Sequence, residues 1–175
     1  MTKPNPANPT LSISRPDLAS ALEQIGAEIE HQPLRSSALA RIMRETFHGS
    51  DAGGTWDWRM AYDLMQATAV QALLRGDNSE DDYYAAKLLA SRLLTETRRS
   101  EQQIRLQQFS TPLPFAALTV RAAAIRKGET VLEPSAGTGA PAAFAARAGA
   151  TLLLNEIDPF RQRLLRAVFG GEVTG

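Results

Sequence analysis

The stretch Val131-Leu132-Glu133-Pro134-Ser135-Ala136-Gly137-Thr138-Gly139 decides the fold. The β-branched and apolar residues from Thr130 to Glu133 predict a short strand that ends at a carboxylate. A tight loop with two glycines, Gly137 and Gly139, then leads into a helix over Ala140–Ala148, with Pro141 near its start. Thr151–Asn155 predicts a second strand. Pro159–Phe169 predicts a second helix, closed by Gly170-Gly171. Upstream, Leu113–Arg126 reads as an Ala-rich helix and Lys127-Gly128 as a turn. This helix-β-α-β-α order is the opening of a parallel α/β sheet.

Residues before this unit read as helical. Ser14 is a plausible N-cap with Pro16 in the first turn, and Leu18, Leu22, Ile25 and Ile29 share one helical face up to Pro33. Leu39, Ile42, Met43 and Phe47 make a second stripe, ended by Gly49. After a turn at Asp51–Thr55, a third stripe runs through Trp58, Tyr62, Met65, Ala69 and Leu73, which places Trp58 in the core. Ser79 opens a long fourth helix, with Glu80, Asp81 and Asp82 in its first turn, predicted to run to about Gln108. Residues 1–14, with three prolines in polar surroundings, read as a disordered tail. The expected organisation is therefore a tail (1–14), a helical region (15–108) and an α/β region (109–175).

Composition excludes several functions. The 175 residues carry 19 basic and 19 acidic side chains and no Cys. Zero Cys removes disulfides, thiolate metal sites and thiol nucleophiles. Neutrality removes a large unspecific attraction to nucleic acid. Residues 1–108 hold 12 basic and 14 acidic groups (net −2), and 109–175 hold 7 and 5 (net +2). Neither balance names a partner. Apolar runs fall far short of the ~20 residues of a spanning helix, and no secretory signal is legible, so a cytoplasmic protein without membrane contact is expected. Arg98, Arg99 and Arg105 read as a solvated helix face or a nucleic-acid groove. His31 and His48 have no partner at ligand spacing.

The chemistry lies at the glycine loop. Gly137 and Gly139 permit positive φ and close approach of a ligand, and the following helix offers free N–H groups. Past the second strand, Asn155-Glu156-Ile157-Asp158 presents a carboxylate suited to accept both hydroxyls of an adenosine ribose. The alternatives are that Glu156 is a solvated strand-end carboxylate and that Asp158 is the helix N-cap. Gly137–Ala142 formally fits the dinucleotide pattern G-x-G-x-x-A. Against a nicotinamide cofactor stand Glu133, which would face a pyrophosphate, the extra Pro134-Ser135-Ala136, and Pro141, which removes an N–H. A zwitterionic sulfonium ligand tolerates such acids better.

Glu133-Pro134-Ser135-Ala136-Gly137-Thr138-Gly139 resembles the S-adenosyl-L-methionine motif of class I methyltransferases, in the form used by amino-methylating DNA methyltransferases. Phe109-Ser110-Thr111-Pro112 resembles the Thr-Pro motif that precedes the core of adenine-N6 enzymes, although any Pro there is also a helix stop. Asn155-Glu156-Ile157-Asp158-Pro159 resembles the second-strand motif, with Glu156 in the ribose position. More loosely, the run from Trp56 to Pro112 is similar to the N-terminal region of bacterial methylase–helicase proteins of the strawberry-notch type.

The resemblance implies an α/β fold: an all-α N-terminal region followed by an incomplete Rossmann-like methyltransferase domain, represented by its first two parallel strands. It implies S-adenosyl-L-methionine as cofactor, held by Phe109, Ser110, Thr111, Pro112, Glu133, Pro134, Ser135, Ala136, Gly137, Gly139, Glu156 and Ile157. It implies nucleic acid, DNA in particular, as partner of the complete protein, together with a downstream helicase or a missing methyltransferase half. The family's Asn/Asp-Pro-Pro-aromatic loop is not in this sequence. The chain accordingly reads as the truncated front part of a methyltransferase without its catalytic residue. Two other readings stand beside this one: a helical docking module with a remnant α/β stub, and a nicotinamide-dinucleotide domain.

Overall fold

The computed structural model describes residues 14–76, 81–97 and 109–175. The tail assigned to residues 1–14 lies outside it except for Ser14. So do the Ser79 helix start and Arg98, Arg99 and Arg105. The described residues form a mostly helical α/β structure of seven helices and one small parallel sheet. No described helix is long and apolar enough to cross a membrane.

The helical part begins with α1 (Arg15–His31), capped by Ser14 Oγ, which accepts from the Asp17 N–H at 3.2 Å. Its Leu18, Leu22, Ile25 and Ile29 are buried, as the spacing requires. Helix α2 (Ser36–Thr46) buries Leu39, Ile42 and Met43. Helix α3 (Trp58–Arg75) is buried on nearly every side and forms the centre of the molecule. The Trp58 expectation needs correction. Trp58 is half-buried, and Trp56 is the core ring, 1% exposed, with its indole N–H donating to the Gly49 carbonyl at 3.1 Å. Trp56 precedes the Asp57 N-cap, so helical periodicity does not reach it.

Helix α4 (Asp82–Arg92) is shorter than predicted. Asp81 caps it, accepting from Tyr83 N–H at 2.8 Å. The chain turns extended at Leu93 and stays non-helical to Thr97. Long-range partners end it rather than a Gly or Pro. The Arg92 carbonyl accepts from Leu34 N–H at 2.8 Å, and its guanidinium donates to the Ile29 and Glu30 carbonyls at the end of α1. Helix α5 (Leu113–Ala122) is also shorter than predicted, with Ala124 at φ 51° just beyond it.

The α/β part follows the sequence closely: β1 (Thr130–Glu133), α6 (Ala140–Arg147), β2 (Thr151–Asn155) and α7 (Pro159–Phe169). A two-residue third strand, β3 (Val173–Thr174), was not expected. It adds to β2, so the parallel order is β1-β2-β3. Leu154 and Val173 pack under α6 and α7 with Leu165 and Ala142. Leu132 and Leu153 pair in register on the opposite face and are 64% and 53% exposed.

Two core clusters draw residues from both the helical and the α/β part. Phe160 and Leu164 of α7 belong to the cluster built by α1, α2 and α3, and Ala140, Ala143 and Phe144 of α6 share a second cluster with Val70 and Leu73. Four buried charges reinforce the seam, each side chain 3–4% exposed. Arg59 Nη1 reaches Asp158 Oδ2 at 2.7 Å, and Arg161 donates twice to Asp63 Oδ1, at 3.0 and 2.8 Å.

Candidate functional site

The Glu133–Gly139 loop lies beyond the C-terminal ends of β1 and β2, where open parallel sheets bind ligands. It is tied to β2 by three bonds. Ala136 N–H donates to the Asn155 carbonyl at 2.9 Å, the Asn155 side-chain amide donates to the Pro134 carbonyl at 3.0 Å, and Gly137 N–H donates to Glu156 Oε2 at 2.7 Å. The loop is therefore fixed before any ligand arrives.

Glu156 does not match the alternative of a solvated strand-end group. It is 5% exposed, and its Oε1 accepts from Asp158 N–H at 2.8 Å. Each carboxylate oxygen thus holds one backbone amide and keeps a second lone-pair site. Asp158 is the N-cap of α7, accepting from Phe160 and Arg161 N–H groups at 2.9 and 3.1 Å. Ile157, between the two acids, is 71% exposed. Half-buried Glu133 at the tip of β1 is pushed above the ordinary glutamate value by burial, partly offset by the Ser135 N–H.

The two glycines do different work. Gly137 has φ 58°, and a Cβ there would meet only an Arg161 nitrogen at 4.0 Å, so the backbone is open to close approach. Gly139 has φ 93°, but a Cβ there would lie 2.6 Å from the Phe169 ring and 3.0 Å from Leu165. The open approach expected at Gly139 is therefore replaced by tight packing against α7. Gly139→Ala should cost about 1–3 kcal/mol for the backbone and about as much again for overpacking. Urea unfolding checks this, and a cost below about 0.5 kcal/mol would contradict the stated packing.

Phe109–Pro112 meets the loop from the other side. Together with Thr138 and Ala140 it lines a cavity of about 420 Å³, a size typical of ligand sites. The remaining wall comes from the helical part. Thr138 Oγ1 donates to Gln66 Oε1 at 3.0 Å, and the Gln66 amide donates to Glu96 Oε1. Ser110 Oγ is buried without a hydrogen-bond partner, an orphan of the kind that a bound group accounts for. Among the described lining residues Glu96 carries the sole charge, and no Lys, Arg or His is present.

The structure thus brings Phe109, Ser110, Thr111 and Pro112 to one cavity with the C-terminal end of the glycine loop. Glu133, Pro134, Ser135, Ala136, Gly137, Gly139, Glu156 and Ile157 lie in the adjoining loop and strand ends and do not line it. Sequence reasoning missed Thr138, Gln66 and Glu96 as wall residues. Thr138 sat inside the quoted motif, whereas Gln66 and Glu96 belong to no motif. Two other hollows, each about 370 Å³, contain none of the predicted site residues. Comparisons with protein-family models, curated proteins and solved structures give no match, so the functional reading rests on geometry and sequence motifs.

Proposed function

We propose that this chain is the S-adenosyl-L-methionine-binding portion of a methyltransferase, of the kind that methylates adenine N6 in DNA when the protein is complete. The carrying observation is the cavity in which the Thr-Pro segment, Phe109–Pro112, meets Thr138 of the glycine loop with no cation in its described wall. A pyrophosphate carries two negative charges and would meet the like charge of Glu96. A zwitterionic, sulfonium-bearing ligand would not. This disfavours the nicotinamide reading.

The residues fit the cofactor in kind. Phe109–Pro112 and Thr138 would hold the methionine end, the open backbone at Gly137 would allow close approach, and Glu156 would offer its remaining lone pairs to the ribose, with Ile157 beside it. The cofactor itself supplies an activated methyl group. The chain's contribution is to hold the donor in place, a matter of position and orientation rather than acid–base chemistry. The incomplete Rossmann-like character is part of this proposal. Parallel sheets are ordinarily covered on both faces, and Leu132 and Leu153 leave one face open to the remaining half of such a domain.

The docking-module alternative needs a helical region that stands alone, and the shared core around Phe160 and Leu164 counts against it. The test is isothermal titration of S-adenosylmethionine and S-adenosylhomocysteine into the chain, with circular dichroism on the same sample. Saturable binding of both is expected, with no fluorescence enhancement of reduced nicotinamide dinucleotide. A folded sample that takes up neither adenosyl ligand would end this reading.

A further inference from the structure

We infer that Asp63, on the central helix α3, is a positioning residue for ribose recognition: it holds the Arg161 guanidinium away from Glu156 and so keeps the acceptor sites of Glu156 open to the ligand. The inference rests on the cofactor reading above and goes beyond its motifs, since neither Asp63 nor Arg161 belongs to them.

Three observations converge. First, Arg161 lies beneath the ligand loop. Its Nη1 is 4.0 Å from the position a Cβ would take at Gly137, and the Gly137 N–H donates to Glu156 Oε2 at 2.7 Å. The cation and the carboxylate therefore approach each other at one residue. Second, the buried guanidinium is committed to the helical part. Its Nε and Nη2 both donate to buried Asp63 Oδ1, at 3.0 and 2.8 Å, across 98 residues of sequence. Burial opposes the Arg161 charge. Asp63 exerts the strongest pull that sustains it, followed by Glu156 and then Asp158. Third, Asp158 is engaged on both oxygens, with Arg59 on Oδ2 and the Phe160 and Arg161 amides on Oδ1. A buried guanidinium that loses its main counter-charge turns to another acceptor, because a buried charge is costly unless paired. The sites at hand are those of Glu156. Each of its oxygens holds one amide and has one site left, and a guanidinium fork fits such a pair. A fork seated there would occupy the sites that the ribose hydroxyls need. Asp63 prevents this from α3. It is the positioning residue, and Glu156 is the residue that touches ligand.

The readout is the ribose contribution to affinity. The full chain should be titrated with S-adenosylhomocysteine and with its 2′-deoxy analogue. In wild type, loss of the 2′-hydroxyl should weaken binding about ten- to a hundredfold, as for a hydrogen bond to a charged acceptor. In Asp63→Asn that penalty should shrink to about threefold or less, through weaker binding of S-adenosylhomocysteine. Adding Arg161→Gln to Asp63→Asn removes the cation that captures Glu156 and should restore the wild-type penalty. A general loss of stability would not produce this rescue. Circular dichroism and melting temperature accompany each variant. If Asp63→Asn does not fold, Arg161→Gln alone decides. It should keep the wild-type penalty, and a collapsed penalty would show Arg161 serving Glu156 directly and overturn the inference. An undiminished penalty in Asp63→Asn, or no rescue in the double variant, would also overturn it. Wild type that binds both ligands equally overturns the inference and leaves the cofactor reading in place. Wild type that binds neither overturns both.

Discussion

Asp158→Ala is expected to cost this protein about 3–5 kcal/mol by taking from a buried Arg its hydrogen-bonded carboxylate, and about 1 kcal/mol more by removing a helix cap. Asp158 does both jobs with different oxygens. Its Oδ2 holds Arg59 at 2.7 Å, while its Oδ1 accepts from Phe160 and Arg161 N–H groups at the start of α7. Arg59 lies on α3 and is itself 4% exposed, so without Asp158 its nearest described carboxylate oxygen is on Asp63, 3.9 Å away. Asp158→Asn keeps the cap acceptor and loses the charge, so it should recover about 1 kcal/mol relative to Asp158→Ala.

The pH dependence separates the two jobs. Burial would push the Asp158 carboxyl up, but the Arg59 charge and the Arg161 and Phe160 amides together hold it below its usual 3.8. A carboxyl lowered in the folded state stabilises fully above the unfolded value and loses that contribution as pH falls through the folded one. The stability gap between wild type and Asp158→Asn should therefore be full above about pH 4 and shrink below it. Asp63 has the opposite tendency. Burial raises it against the pull of Arg161, and its Oδ2 lacks a hydrogen bond. The Asp158 charge is itself one of the causes that raise Asp63, so Asp158→Asn relieves that part, while the larger burial part is common to both proteins. Urea unfolding across pH 3–7 makes the measurement, and a gap that is flat across the range would contradict the account.

Phe160→Ala should cost about 3–5 kcal/mol, because it empties a fully buried ring site in a core that cannot readily collapse. Phe160 is 1% exposed and lies among residues of α1, α2 and α3, although it follows β2 in sequence. A cavity there should lower one cooperative transition for the whole chain. Far-ultraviolet circular dichroism and tryptophan fluorescence check this together, because both tryptophans, Trp56 and Trp58, lie in the helical part. Coincident, shifted transitions support one folding unit. A tryptophan transition unmoved by the substitution would show that the helical part folds without α7, and would revive the docking-module reading.

Local sequence patterns carried the α/β part because local chemistry decides it. Thr130–Glu133 and Thr151–Asn155 are short β-branched or apolar runs between turn residues, and Asp158-Pro159 and Gly170 bracket α7 with a cap at each end. The helical region was legible in its stripes and illegible where tertiary partners overrode propensity. Nothing in Ser91-Arg92-Leu93-Leu94 stops a helix locally, and Arg92 ends α4 through bonds to Leu34, Ile29 and Glu30. Strand β3 is two residues long and exists because β2 offers an edge to it.

The site was legible in part for the same reason. The motifs marked Phe109–Pro112 and the glycine loop, but only three-dimensional packing places Gln66 and Glu96 on the wall between them. Likewise, the place of Glu156 past the second strand suggested a ribose acceptor, and its carboxylate also secures the Gly137 and Asp158 amides. The acid is part of the loop's construction before it can be part of a ligand's recognition.

The central claim is that Phe109–Pro112 and the glycine loop face one S-adenosylmethionine molecule. Its most direct test is ultraviolet cross-linking of methyl-labelled S-adenosylmethionine to the folded chain, followed by peptide mapping, with excess S-adenosylhomocysteine as competitor. The account predicts competed label in peptides containing residues 109–112 and 137–140. Label confined to other segments, such as the hollow between α1 and α2 near Gln24 and Arg41, or label that the competitor does not displace, would contradict it.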